Sequence, residues 1–558
     1  MKCLALSGVL MLVGTTQAQK KAFGVPKIIK GARAFPGSVA VADFDLDGRK
    51  DVAVANAFVL DAGNGPATTY FLERDLEISR TLNLPVTREP GLYSYPAMAT
   101  ADLDRNGLED IVLMSDRGAL SVYLNQGPKD AELVAPRFRS AFEARRIPLM
   151  QSSANQFFFL RNSGFLIDDF DGDGHLDLAL AGEMNFLSSV QGYTGVILLP
   201  GDGKGCFGKE KYLLVGPVIS LAKGDVDGDG RMDLIALAAD KNVYILRSLG
   251  QGKYAKTTWL CSSPVTPLIL ATGDADGDNN DDILIGGGDR GAEATVYYSG
   301  ARQTWSQKTE IALAPASAAR TESMFFGDID GDGLADASLV LSRQWNDASL
   351  AIHKSTGTGF IFLEEHSLTS IIDPAERVPA HALLQGVDFD GDLNPELVVG
   401  SLVARGSQKL VQFVFPNNSP KKVGYRVYGR GYKTGADVIP AIATYGGRPA
   451  LGNRHWGVAV SKTNQGGRRA ALFFYHNAGG PWRGPGFTIN VFPRWSIGTK
   501  TKGSGITGGY ALVPLAIPKD PYLVGRTFHF QWLIEDPGAV ASNGIAVSEA
   551  MSVTFVAR

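Results

Sequence analysis

Of the 558 residues, only three are cysteine and seven are histidine. Cys3 lies at the N-terminus, so Cys206 and Cys261 are the only thiols in the body of the chain. They can close one disulfide at most, and a dense disulfide framework is excluded as the source of stability. His175, His353, His366, His381, His455, His476 and His529 are scattered without the spacing of a metal centre. Long apolar runs are also missing: beyond the N-terminus nothing approaches the ~18 continuous apolar residues that cross a bilayer. Apolar residues alternate or run continuously and nowhere recur every 3.6 residues over a useful length, which excludes helical bundles and solenoids. HExxH, GxSxG, P-loop and CxxC motifs are absent. The one formal GxGxxG, in "GDGKGCFG" (201–208), joins two strand-like runs where a dinucleotide site needs a strand and then a helix, and it reads as a hairpin turn.

The N-terminus "MKCLALSGVLMLVGTTQAQKK" has a basic start, a short apolar stretch and small residues before Gln19. This is the pattern of a secretory signal over residues 1–18, cleaved near Ala18, and it implies export to the periplasm, the cell surface or the medium. With 44% hydrophobic and 20% charged residues the remainder is globular, and its length exceeds one ordinary core.

Aspartate is present in a repeated pattern. In "DFDGDGHLD", Asp169, Asp171, Asp173 and Asp177 occupy positions 1, 3, 5 and 9 of a loop that turns on Gly174. Alternate carboxylates around a tight turn, with a backbone carbonyl at position 7, surround a point with hard oxygen ligands, and calcium is the ion that suits them. An EF-hand would place Glu at position 12 and continue as a helix. Here that position is Leu180, inside an apolar strand-like run. The loop occurs seven times, starting at Asp43, Asp102, Asp169, Asp225, Asp274, Asp328 and Asp388. The other candidate ligands are Asp45, Asp47 and Asp51; Asp104, Asn106 and Asp110; Asp227, Asp229 and Asp233; Asp276, Asp278 and Asp282; Asp330, Asp332 and Asp336; and Asp390, Asp392 and Glu396. Up to seven Ca²⁺ ions are expected. Asn106 replaces a carboxylate in the second loop, Asn279 replaces the turn glycine in the fifth, and Leu393 replaces it in the seventh. Loops two and seven are therefore the weakest expected sites, and all seven are expected to be stabilising clips.

The starts are 49 to 67 residues apart, room for about four short strands in each unit. An apolar strand precedes each loop, an almost wholly apolar one follows ("DLIALA", "DILIGG"), and alternating and polar strands complete the unit. A strand apolar on both faces needs cover on both, which radially stacked four-stranded sheets provide. Seven units give an all-β, seven-bladed propeller over residues 22–418. The last unit lacks its outer strand, and "FGVPKIIKGA" (23–32) is expected to supply it.

The repeated acidic loop followed by an apolar strand resembles the FG-GAP and VCBS repeats of integrin α-subunit propellers and of many exported bacterial proteins. The resemblance implies a propeller with calcium in the hairpin between the first and second strands of each blade. It specifies no ligand, because such propellers serve adhesion, lectins and domains attached to enzymes.

From residue 421 the chain carries 17 Lys and Arg against five acidic residues, so the preceding part is acidic. Short apolar runs separated by Gly, Pro and Asn turns give a β-sandwich of seven or eight strands over 421–558, faintly similar to the C-terminal β-domains of large exported bacterial proteins. Trp456 and Trp532 lie in apolar runs and are core candidates. Trp482 and Trp495 lie beside Arg483 and Arg494 in turn-rich sequence, where these four residues could meet sugar rings or anions. The combination points to an exported, calcium-stabilised binding or adhesion protein for an extracellular glycan or protein, anionic in character, with no catalytic residues and no nucleic-acid module. The alternative is a polysaccharide lyase on the same propeller, with a site on a blade face.

Overall fold

Seven separate four-stranded antiparallel sheets account for most of the described chain. The structure, a computed structural model, describes residues between 22 and 556, leaving out 57–66, 85–96, 131–137, 149–155, 187–193, 312–319, 369–382, 390–393, 403–408, 420–424, 504–508 and several shorter turns. Residues 1–21, and with them the expected signal segment, lie outside that description.

In each sheet the acidic loop joins the first strand to the second, with the same register seven times. Ala42, Ala101, Asp168, Gly224, Gly273, Gly327 and Val387 pair with Asp51, Asp110, Asp177, Asp233, Asp282, Asp336 and Glu396. Position 9 is thus the first residue of the second strand. That strand is buried on both faces, as in Asp233–Ala238 and Asp282–Gly287. The first strand of each sheet lies against the first strand of the next, and Leu383–Val387 returns to lie against Pro36–Ala42. The ring is closed, and it has seven blades. Its core is divided accordingly into seven apolar clusters, one between each neighbouring pair of blades.

The N-terminal strand Lys27–Arg33 pairs with Lys409–Phe415 and completes the seventh sheet, so the two ends of the ring share one blade. Just before it, Phe23 is 1% exposed in the cluster between blades six and seven, and its N–H donates to Glu364 Oε1 at 2.7 Å. The glycine-rich stretch 201–208 is a hairpin turn, with Gly208 N–H donating to Pro200 O at 2.6 Å. Cys206 sits in that turn. Its pairing with Cys261 lies outside the described side chains.

After the ring, two sheets share one core. Tyr425–Tyr428, Ala550–Thr554, Thr527–Glu535, Arg469–Tyr475 and Trp495–Lys500 form the larger sheet, with Ile545–Val547 added to Thr527–Glu535. Ala441–Tyr445, Gly457–Thr463 and Gly509–Pro514 form the smaller. Trp456 and Trp532 are buried between them, 1% and 0% exposed. Nine described strands exceed the seven or eight expected; Ile545–Val547, only three residues long, is too short to register as an alternating run. A separate hairpin pairs Trp482–Gly484 with Phe487–Ile489. Among the described residues no helix is long and apolar enough to cross a membrane.

Candidate metal centres and the basic sandwich

Each acidic loop is shaped by its own carboxylates. At position 1, Asp43, Asp102, Asp169, Asp225, Asp274 and Asp328 accept the N–H of position 6 at 2.8–3.0 Å. Position 3 accepts from position 5, and position 5 from position 7, as Asp276 does from Asp278 and Asp278 from Asn280. These turns need left-handed backbone, and Asn279 adopts it at φ 68° where most other loops use glycine.

Position 9 does something that spacing alone did not reveal. Both oxygens of Asp282 accept backbone N–H groups, from Ala275 and Ser299, each at 2.8 Å. Asp51, Asp110, Asp233 and Asp336 hold the same two kinds of partner, the second residue of the loop and a residue in or just after the third strand. Glu396 holds the first of them, Phe389 N–H, at 2.7 Å. This carboxylate therefore clips three parts of a blade together besides facing the loop centre.

The loops are also stapled to their neighbours. The carbonyl at position 2 accepts from a side chain of the following blade: Phe44 from Asn125 Nδ2 (2.8 Å), Phe170 from Ser248 Oγ (3.1 Å), Ala275 from Ser355 Oγ (2.7 Å) and Ile329 from Asn417 Nδ2 (2.6 Å). Asn125, Ser248, Ser355 and Asn417, in or just after the third strands of blades two, four, six and seven, were the sequence signal for this, and it needed the ring to be meaningful.

Among the described residues six groups bring at least three possible ligand atoms to within 4.8 Å of one another, among them Asp43, Asp45, Asp51; Asp102, Asp104, Asp110; Asp169, Asp171, Asp177; Asp225, Asp227, Asp229; and Asp274, Asp276, Asp282. Asp328, Asp330, Asp332 and Asp336 share the sixth loop. Asp388 begins the seventh, and Asp390 and Asp392 lie outside the described residues. In the second loop Asn106 keeps the position-5 bond, accepting from Leu108 N–H at 2.7 Å, and its amide nitrogen donates to Asn125 O at 2.8 Å.

Charge is unevenly balanced inside the loops. The outer carboxylates at positions 3 and 5 meet the chain's own cations: Arg49 on Asp47, Arg247 on Asp227, Arg231 on Asp229, and Lys354 on Asp330 and Asp332. Among the described residues no cation is in direct contact with the inner carboxylates Asp43, Asp51, Asp102, Asp110, Asp169, Asp177, Asp233, Asp274, Asp282 or Asp336. Burial first, then the neighbouring carboxylates, push Asp110 up to about 8 and Asp177, Asp233, Asp282 and Asp336 up to about 7. Asp102 is likewise raised to about 7, chiefly by burial. Asp43 and Asp51 are raised well above the carboxylate range for the same reasons. Asp102 Oδ1 is buried without a hydrogen-bond partner. Hard oxygens, an orphaned carboxylate oxygen and uncompensated negative charge at the centre all fit a hard divalent cation such as calcium.

The proposed sugar contacts divide. The backbones of Trp482 and Arg483 lie in the short hairpin, and their side chains are outside the described set. Arg494 is exposed, and Trp495 is 46% exposed on the edge strand of the larger sheet. The Trp495 ring lies 5.8 Å from Phe474 and 5.3 Å from Tyr475, and Tyr475 lies 5.3 Å from Phe492. An aromatic shelf results, with Arg494 at one end and the paired Arg469 and Lys500 at the other.

Residues 169–236, 225–285 and 274–337 match the FG-GAP-like repeat family. No curated protein sequence matches the chain. Among solved structures, a lectin from Burkholderia pseudomallei is similar at 14% identity, covering 70% of this chain and 100% of its own, with a TM-score of 0.44. The Dos1 propeller (9% identity, 72% and 97% covered, TM-score 0.40) and Sqt1 of Chaetomium thermophilum (13%, 79% and 95%, 0.37) are similar as well. The matching family and these three structures name no enzyme.

Proposed function

Because this chain is an FG-GAP-repeat β-propeller protein, we propose that it acts as an exported binding protein, its ring held by calcium and its basic sandwich carrying the ligand site. Calcium supplies the positive charge that the converging carboxylates lack; the aspartates hold it, and the position-9 clips fix the hairpins around it. In this reading the loops are structural and the ring performs no catalysis.

The observation that carries the ligand assignment is Trp495. A large indole 46% exposed on an edge strand, backed by Phe474 and Tyr475, presents a fixed apolar face at little entropic cost. The strand Trp495–Lys500 spans about 20 Å at 3.3 Å per residue, with Arg494 and Lys500 exposed at its ends. Such a shelf suits the sugar rings of an anionic polysaccharide, with acidic groups meeting the guanidinium and ammonium ends.

The test is binding of the full-length protein to uronic-acid polymers at low and high salt. Trp495→Ala is expected to weaken binding about tenfold, equivalent to 1.4 kcal/mol, and rising salt should weaken the wild type further. Unchanged affinity in Trp495→Ala would place the ligand elsewhere.

A further inference from the structure

Two of the acidic loops carry side chains that their turns disfavour. At position 4 the chain passes through left-handed backbone, and loops three to six place Gly172 (φ 76°), Gly228 (71°), Gly277 (82°) and Gly331 (76°) there. Loops one and two instead hold Leu46 (56°) and Arg105 (58°) in that conformation. A leucine there costs about 1–2 kcal/mol relative to ordinary backbone, so some contact must maintain it.

That contact is with the C-terminal sandwich. Leu46, 2% exposed, and Leu108, 0% exposed at position 7 of the second loop, form one apolar cluster with Ala443, Ala459 and Tyr510, with Tyr445 and Leu512 alongside. Gly107 is pressed against Leu512 so closely that a Cβ would lie 2.4 Å from its Cδ1. Across the contact, Lys462 interrupts its strand: the register shifts between Val460 and Thr463, and its φ is 56°. Bulges re-aim side chains, and this one brings Lys462 Nζ to 3.1 Å from Asp47 Oδ2. Each side of the contact thus holds a non-glycine residue in left-handed backbone for the sake of the other, and strain kept in this way marks a functional contact.

We infer that loops one and two form a cation-controlled latch for the C-terminal sandwich, an inference that rests on the calcium assignment above but not on the ligand shelf. Leu46 and Leu108 are carried by the very turns on which Asp43, Asp45, Asp51 and Asp102, Asp104, Asp110 converge. With a divalent cation bound, the turns are fixed and the leucines offer one seat. Without it, like charges inside an eight-residue turn push apart and the seat is lost. Coupling is reciprocal, so docking of the sandwich must in turn strengthen cation binding at these two loops relative to loops three, five and six, loop four being touched at Gly230 by Lys519 of the sandwich.

The test uses the full-length chain. Leu46→Gly restores the glycine of loops three to six, and Leu108→Asn borrows the residue of loops five and seven, so the double variant keeps a workable turn and removes only the seat. Small-angle scattering, calcium content and calcium titration are measured for wild type and variant, with calcium and with EDTA. The wild type should be compact with calcium and extended after chelation. The variant should be extended even with calcium, and two of its sites should lose about 5- to 150-fold in affinity, the usual range of such couplings. A chelated wild type that stays compact, or a compact variant, overturns the latch. Absence of bound calcium overturns the metal assignment and the latch together. If chelation unfolds the ring, the folded variant in calcium decides: extended supports the latch, compact refutes it.

Discussion

Ser355 and Ser248 occupy equivalent places in blades six and four, yet their removal should have unequal effects. Ser355 Oγ donates to Ala275 O at 2.7 Å, and no other hydrogen bond to that carbonyl is present among the described residues. Ser248 Oγ donates to Phe170 O at 3.1 Å, but the hydroxyl of Tyr254 reaches the same oxygen at 3.1 Å. Both serines are buried, 1% exposed, so solvent cannot substitute. A buried acceptor left without a donor costs about 1–3 kcal/mol, and Ser355→Ala should lose that much. Ser248→Ala keeps one donor on Phe170 O and should lose under about 1 kcal/mol. Adding Tyr254→Phe then strands the carbonyl, and the pair should cost more than the sum of its single changes. Urea titrations in saturating calcium measure all four proteins. Equal losses for the two serine variants, or additivity of Ser248→Ala with Tyr254→Phe, would refute the assignment of these bonds as staples between blades.

Chelation by EDTA should lower the melting temperature, and Asp169→Ala or Asp225→Ala should cost more than Glu396→Ala; an unchanged melt with no calcium on elemental analysis would overturn the metal assignment. Deleting residues 19–33 exposes the edge of Lys409–Phe415 and removes Phe23 from its cluster, so the protein should aggregate or melt earlier, whereas a monomer with the full melting temperature would show that the closure is dispensable. His353 is 2% exposed with neither ring nitrogen hydrogen-bonded, and burial lowers it to about 4. The unfolded imidazole protonates first, so stability is lost as pH falls from about 6.5 to 4, by about 3 kcal/mol; His353→Leu should remove that acid limb, and melting curves against pH would show whether it does. No unsaturated, ultraviolet-absorbing oligosaccharides should form from uronic-acid polymers, and their appearance would establish lyase chemistry.

The sequence by itself determined the repeat, and through it the ring. Seven acidic loops, each before a strand apolar on both faces, leave few arrangements that bury those strands, and a blade missing its outer strand requires one from the other end of the chain. Period and burial are local properties, so they are readable before folding. Trp456 and Trp532 were legible as core for the same reason. What only the tertiary structure decided depends on which repeats become neighbours. Position 9 is spaced as a ligand, yet its oxygens also hold two backbone N–H groups, one of them in or just after the third strand, outside the loop. The staple from Ser355 to Ala275 spans 80 residues and exists only because blade six follows blade five around the ring. Leu46 differs from Gly172, Gly228, Gly277 and Gly331 in plain sight, but the reason for its side chain lies in Ala443, Ala459 and Tyr510, some 400 residues away. The excess of basic residues after 421 did not single out which of them would meet the acidic ring. The residue that reaches Asp47 is Lys462, because a bulge aims it there, and side-chain direction at a bulge is set by strand pairing rather than by composition.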